Sequence, residues 1–247
     1  MRTKLVLAAM SLPFVAATGL AQTGPDQAFQ ITPYVWATGV GGDIRPFAGA
    51  PTVSINKSFF DLIGDLDAAI FISAYARQGR FVFMGDISSS SSSRSGVTPS
   101  PPAPAELPAT GKLRQTSLTA LGGYRVAQTP EASFDLLAGA RHWRVRGEVD
   151  TPLGSASRAR NFTDPLIAAR ANIQIAPGWS ALLYVDAGGF GVGSRVTSQV
   201  LGTVNYQITD SAYISAGYRH LHVDYRDDGT RFDMRMSGPV IGATLRF

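Results

Sequence analysis

From residue 29 to the carboxy-terminal Phe247 the chain changes character at every second position, in short segments separated by turn-forming residues. That rhythm constrains the fold more than any other feature. A period of two belongs to a β-strand whose two faces meet different surroundings, whereas a helix repeats at about 3.6 residues. Beyond the amino-terminal segment, no apolar run approaches the roughly 20 residues that a membrane-spanning helix needs. Such a chain is all β, and if it crosses a membrane it does so with strands.

Ten segments carry the alternation: residues 29–40, 68–77, 80–88, 113–126, 132–146, 162–175, 179–188, 195–207, 212–223 and 232–247. The connections between them alternate in kind. Residues 78–79, 127–131, 176–178 and 208–211 are short; residues 41–67, 89–112, 147–161 and 224–231 are long, and only 189–194 is brief for its side. An antiparallel meander gives this pattern when one rim has tight turns and the other long loops. An even strand count returns both ends to the short-turn rim. The reading is an up-and-down antiparallel β-barrel of about ten strands. Eight or twelve also fit, if residues 43–56 add a hairpin or residues 188–194 form a bulge inside one strand.

Two long connections have distinctive composition. Residues 88–93 are an unbroken serine run and residues 99–108 read PSPPAPAELP. Such a stretch buries too little apolar area to offset the entropy of ordering, so residues 89–112 are expected to form a mobile Ser/Pro-rich loop. SFFDLIGDLD, residues 58–67, suits a short amphipathic turn of helix over the barrel mouth.

Parity sorts the charges. In residues 80–88, Arg80, Val82, Met84 and Asp86 oppose Phe81, Phe83 and Ile87; in residues 162–175, Arg170, Asn172 and Gln174 oppose Ile167, Ala169, Ala171 and Ile173. In residues 179–188, Tyr184 and Asp186 oppose Leu183, Val185 and Ala187. One face of the wall is nearly free of charge. A soluble barrel turns that face inward and a membrane barrel turns it outward. The apolar faces mix Ala and Gly with Val, Ile and Leu, which suits lipid contact, where nothing has to interlock. The polar faces carry Arg77, Arg125, Arg141, Arg170 and Arg219 with Asp86 and Asp186, a set suited to a paired charge network in the lumen. Near strand ends, Tyr34, Trp36, Tyr124, Trp179, Tyr206, Tyr218, Phe232 and Phe247 are expected as an interfacial aromatic girdle.

The amino terminus has the three regions of a secretory signal peptide: Arg2 and Lys4, an apolar run over residues 5–15, and the small residues Gly19 and Ala21. Residues 1–21 are therefore expected to be removed, leaving residues 22–247 as one exported barrel domain. Removing Arg2 and Lys4 from the 22 basic residues leaves 20 against 18 acidic ones, a balance that argues against nucleic acid as a partner. The chain has no cysteine, so outside the cell's reducing interior it must hold together without disulfides.

The last strand places Ile241, Ala243, Leu245 and Phe247 on one face and ends on the aromatic. It resembles the terminal signature of outer-membrane β-barrel proteins of Gram-negative bacteria, which their assembly machinery reads. PYVWATGVGGDI (33–44), LLAGARHW (136–143), DPLIAAR (164–170), DAGGFGVGS (186–194) and SAGYRHL (215–221) resemble the recurring motifs of a small porin-like group of such barrels. The resemblance covers residues 31–247. It implies short periplasmic turns, longer extracellular loops and residence in the cell outer membrane. The expected partners are outer-membrane lipid and lipopolysaccharide, the barrel-assembly machinery and periplasmic chaperones, with the chain itself a monomer. It implies no particular activity. Asp233 and Arg235 depart from the pattern, because they share parity with Phe247. Either the strand tip stands above the membrane or Gly238-Pro239 marks a bulge that flips the register.

Chemistry-bearing residues are few. His142, His220 and His222 are the three histidines; His220 and His222 share one parity, with Ser215 or Ser237 in reach from a neighbouring strand. No hydrolase or acyltransferase signature surrounds them. Asp61, Asp65 and Asp67, and Asp224, Asp227, Asp228 and Asp233, are acidic clusters without the spacing of a calcium loop. GGFGVGS, residues 188–194, matches a phosphate loop in glycine content alone, without its Lys-Ser/Thr or a following helix. The expectation is a non-enzymatic protein with no catalytic residue, metal or cofactor, in a structural, surface-interaction or narrow porin-like role. The alternatives are an outer-membrane lipid-modifying enzyme and a small anion-preferring channel, although so few strands enclose little open space.

Overall fold

Strands with one apolar and one polar face can satisfy every backbone group and bury no edge if they close into a ring. The computed structural model describes residues 27–45, 52–62, 64, 66–100 and 105–247; the expected signal peptide lies outside them. In chain order the elements are β1 (Gln27–Trp36), β2 (Gly39–Arg45), β3 (Val53–Lys57), α1 (Phe59–Leu62), β4 (Leu66–Gln78), β5 (Phe81–Ser100), β6 (Ala105–Gln128) and β7 (Ala132–Thr151). They continue with β8 (Gly154–Ala176), β9 (Trp179–Gly188), β10 (Val196–Gln207), β11 (Ala212–Asp227) and β12 (Thr230–Arg246).

β1 and β4 to β12 form a closed antiparallel barrel, and β2 and β3 pair onto the upper part of β12 outside the ring. The ring thus has the ten strands expected, and the hairpin that residues 43–56 suggested is the extra pair. Ile31 meets Leu245 and Tyr34 meets Gly242 at the closing seam, where Phe29 and Phe247 exchange backbone hydrogen bonds of 3.3 and 2.8 Å. Residues 189–194 are a connection between β9 and β10, not a bulge inside a strand.

The alternation runs opposite to that of a soluble barrel. In β8, Ile167 is 59% exposed while its neighbours Leu166 and Ala168 are 2% and 8% exposed. Ile241, Leu245 and Phe247 likewise face outward, with Ala243 between them. The apolar outer band ends in a row of polar cross-strand pairs: Ser89 with Thr116 at 2.9 Å, His142 with Thr163 at 2.9 Å, and His220 with Ser237.

Above that row β5 to β8 keep going furthest, while β11 and β12 continue to Asp227 and Thr230 with β2 and β3 beside them. β5, β6, β7 and β8 are 20, 24, 20 and 23 residues long, against 10 for β9 and 12 for β10. In the segment expected as a mobile loop, residues 89–100 and 105–112 instead form a ladder, paired without a break from Ser89↔Thr116 to Ser100↔Ala105; residues 101–104 lie outside the described residues. Composition misled there because it weighs only apolar burial. A pair of strands already held in register by the wall extends by adding backbone hydrogen bonds, with no new loop closure to make. Residues 147–161 are likewise the tips of β7 and β8. Residues 224–231 are the ends of β11 and β12 around Asp228-Gly229, both at positive φ (46° and 74°), as a two-residue type I′ hairpin requires.

Two more expectations change. The first segment, residues 29–40, is broken at Ala37-Thr38, where β12 exchanges β1 for β2 as its partner. Gly238 sits at this crossing, and a Cβ there would overlap the Ala37 carbonyl. The β11–β12 register nevertheless runs unbroken from Ala212↔Leu245 to Asp227↔Thr230, so Asp233 and Arg235 stand on an extended tip and no bulge flips them. Of the expected girdle, Tyr124, Trp179, Tyr206, Tyr218 and Phe247 are outward and exposed, but Trp36 is 4% exposed and Tyr34 and Phe232 pack against the interior cluster around it. At those three positions parity, not aromatic identity, decides the side. α1 forms where SFFDLIGDLD suggested, closed by a reciprocal cap between Ser58 and Asp61.

Candidate functional site

The inward face begins with residues that cannot be left uncompensated. Asp135, 1% exposed, accepts from Arg125 Nε at 2.8 Å, from Arg170 Nη1 at 3.3 Å and from the Tyr75 hydroxyl at 3.1 Å. The Arg170 guanidinium also lies 4.2 Å over the Tyr75 ring. Deeper in the lumen, Arg141 grips Asp186 bidentately at 2.6 and 3.3 Å, and Tyr184 donates to the same carboxylate at 2.8 Å. Arg219 meets Asp86 at 3.3 Å and Gln199 at 2.7 Å; Tyr34 bonds both Arg219 and Asp86. Six of the seven residues assigned to the lumen from parity therefore take part in these clusters. Arg77 lies at the short-turn rim, where it donates to the Gly79 carbonyl at 2.8 Å.

An apolar layer lies above the charges. Trp36, Trp143, Leu221, Val223, Tyr225, Met236 and Val240 form one buried cluster. Trp143, Phe162, Tyr225 and Phe232 stack through it with successive centroid separations of 6.1, 4.2 and 6.1 Å. Asp164, without exposed surface, accepts from the Trp143 indole at 3.1 Å and from the Ser194 backbone N–H. A cavity of about 360 Å³ runs from the short-turn rim, where Gln30, Arg77 and Tyr213 line it, up among the charges to Asp86, Arg141 and Arg219.

The other candidates separate. Ser237 bonds His220, but the neighbouring carboxylate, Asp233, bonds His222 at 3.1 Å; Ser215 points inward and donates to the Gly242 carbonyl. A serine, a histidine and an orienting acid are thus divided over two histidines, so no relay forms. Of the acidic residues, Asp61 caps α1, Asp67 accepts from Ser93, Asp224 pairs with Arg195 and Arg226, and Asp227 accepts from Tyr225; Asp65 lies outside the described residues. Among the described residues no group of three or more acids and histidines is arranged to hold a metal ion. In residues 188–194 the Gly189 N–H donates to the Pro165 carbonyl, those of Gly191 and Val192 to carbonyls of the loop and that of Ser194 to Asp164, so these four do not converge on a phosphate cradle.

Outer-membrane protease OmpT from Escherichia coli superposes on 91% of this chain and 98% of its own, with a TM-score of 0.54 at 12% identity. The fold is that of an outer-membrane β-barrel. The translocator domain of the autotransporter NalP from Neisseria meningitidis gives 0.49 at 13% identity over 92% of this chain and 91% of its own. The attachment invasion locus protein Ail of Yersinia pestis gives 0.38 at 14% identity over 90% and 99%. No family model matches the chain, and no curated protein matches it.

Within this outer-membrane barrel fold, sequence reasoning missed Asp135 and Asp164, the carboxylates on which two of the buried clusters converge. Both share parity with an assigned arginine of the same strand, Arg141 and Arg170 respectively. That count along the strand was the available signal.

Removing one member of a buried ion cluster leaves a charge without compensation, at a cost of about 3–5 kcal/mol. Asp135→Ala, which strands Arg125 and Arg170, is expected to lower unfolding stability by about that much. Urea unfolding of the barrel, followed by gel mobility, measures the loss. On the outer tip, the Asp233 carboxyl is held below its ordinary value, first by the hydrogen bond from His222 and, against a smaller desolvation penalty, by that from Arg231. A depressed carboxyl stabilises the fold above its unfolded value, and that contribution disappears as pH falls through the folded one. In an NMR titration His222→Ala should move the Asp233 midpoint upward.

Proposed function

We propose that this chain is an integral, monomeric outer-membrane protein that works through its outer surface and not by catalysis. The observation that carries the reading is the unequal wall. A tilted strand crosses a bilayer in about 9–11 residues, yet β5 to β8 are each at least 20 residues long. They raise a sheet well above the apolar band, taller than the one that the ends of β11 and β12 form with β2 and β3 on the other side. Strands of that length serve contact outside the membrane, not passage through it. The short turns and both chain ends would then face the periplasm. Phe247, Leu245, Ala243 and Ile241, exposed along the closing strand, would be the surface that assembly machinery and chaperones read.

The pairing of the inward arginines supports a structural role for them rather than an anion pathway. Their guanidinium groups are held by Asp86, Asp135 and Asp186, and the stacked aromatics fill the section above them. The divided histidines weigh against lipid modification.

Two measurements test the proposal together. The full chain should fractionate with outer membranes and show heat-modifiable gel mobility. The purified barrel should give no discrete current steps in planar bilayers; anion-selective steps would return the channel reading.

A further inference from the structure

On the outer face of β6 and β7, just above the last apolar positions, arginines confront one another. Arg114 and Arg146 are directly opposed in the β6–β7 register, and Arg144, one outward position lower, is opposed to Thr116. All three are exposed. Like charges set opposite each other on one face of a sheet destabilise the pair. Arg146 approaches Glu148 at 3.8 Å, and Lys112 is engaged by Asp150 at 2.7 Å and Glu148 at 3.7 Å. Among the described residues, no carboxylate lies within ion-pairing distance of Arg114 or Arg144.

The far side of the barrel handles the same residue type differently. There Arg195 and Arg226 share Asp224, and Arg231 pairs with Asp233, while Arg235 stands singly opposite Gly41 and His222. Arg226 and Arg231 are also directly opposed, and Arg231 faces Arg45 of β2, but each of that opposed pair has its own carboxylate; among the described residues, Arg114 faces Arg146 with none of its own.

The neighbours of this patch are hydroxyls and an amide. Ser89, Ser91 and Ser93 of β5 lie in register with Thr116, Arg114 and Lys112, and Asn161 and Thr163 of β8 with Arg144 and His142. The serine run thus supplies the flank of the patch through its alternate, outward members. Directly below lie the exposed apolar residues Leu118 and Ile167. β7 continues beyond His142 for about 30 Å of strand, at about 3.3 Å per residue, so the polar face is too tall for a thin headgroup layer.

We infer that this face docks the phosphorylated sugar headgroup of lipopolysaccharide. A phosphate lies between Arg114 and Arg146, with Arg144 on the same or the adjoining phosphate. Ser89, Ser91 and Asn161 meet sugar hydroxyls, and the acyl chains run down past Leu118 and Ile167. Arginine suits the task because its planar fork binds phosphate oxygens in pairs. The inference rests on the outer-membrane reading above and adds to it a specific ligand and face.

The test uses the full chain folded in detergent micelles, with fluorescent lipopolysaccharide as probe and polarisation as readout. The triple variant Arg114→Gln, Arg144→Gln, Arg146→Gln should bind about a hundredfold more weakly, as expected for the loss of several charge-assisted hydrogen bonds. Arg226→Gln with Arg231→Gln, which touches cations already paired within the protein, should stay within about twofold of the unaltered chain. Enzymatically dephosphorylated lipopolysaccharide should bind the unaltered chain about as weakly as intact lipopolysaccharide binds the triple variant. Phosphatidylglycerol should bind at least about tenfold more weakly than lipopolysaccharide, lacking the sugar contacts. Equal binding by the triple variant, or by the dephosphorylated probe, overturns the inference; equal binding of phosphatidylglycerol overturns the choice of ligand. Heat-modifiable mobility reports folding of each variant. If the glutamine variant does not fold, the triple Arg→Lys variant, which keeps charge but loses the fork, should still bind measurably more weakly than the unaltered chain, and unchanged binding overturns the inference. Normal binding by the triple variant of a chain that does reside in the outer membrane defeats this inference alone, whereas absence from that membrane defeats the reading beneath it.

Discussion

A guanidinium turned into the interior of a narrow barrel must find its counter-charge inside the wall. Arg141, 1% exposed, is held by Asp186, and Arg219, 2% exposed, by Asp86. Asp135 serves both Arg125 and Arg170. These contacts join strands that are not always neighbours, β7 to β9 and β11 to β5, so each ion pair is also a tie across the lumen. Burial of such groups is tolerable only when geometry and additional donors complete it. Tyr34, Tyr75, Tyr184, Thr119 and Gln199 supply those donors and acceptors.

The rest of the architecture follows from where this network sits. Because the charged residues occupy the inner face, the outer face is free to be apolar and needs no interlocking partner. The network occupies the middle of the lumen with the aromatic stack packed above it, and the cavity reaches from the short-turn rim up among its charges. Outside the band, β5 to β8 raise the tallest surface.

Much of this was legible in the sequence. Period-two alternation fixed the strands inside the apolar band, because each residue there has lipid on one side or the lumen on the other. Parity placed Arg141 and Asp186 on one face, and the same count would have found Asp135 and Asp164. It also reads Tyr34 and Trp36 as inward, where a general association of aromatics with membrane edges had put them outside. The extensions were not legible in that way. Above the band both faces of a strand meet water or polar headgroups, so the alternation that marks a strand vanishes, and the run at residues 88–93 reads as loop. Asp228-Gly229 was a turn signal of known meaning, since both positions require positive φ. The opposition of Arg114 and Arg146 depends on register between two strands, which no single-strand pattern carries.

The central claim is that the wall is inverted, with lipid on the apolar face and charge within. The absence of native cysteine permits single-cysteine spin labels at successive positions 166 to 171 of β8 in lipid vesicles. Collision with oxygen, which concentrates in lipid, should be high at residues 167, 169 and 171 and low at residues 166, 168 and 170. The opposite phase, or high accessibility of the odd positions to a water-soluble relaxing agent, would contradict it.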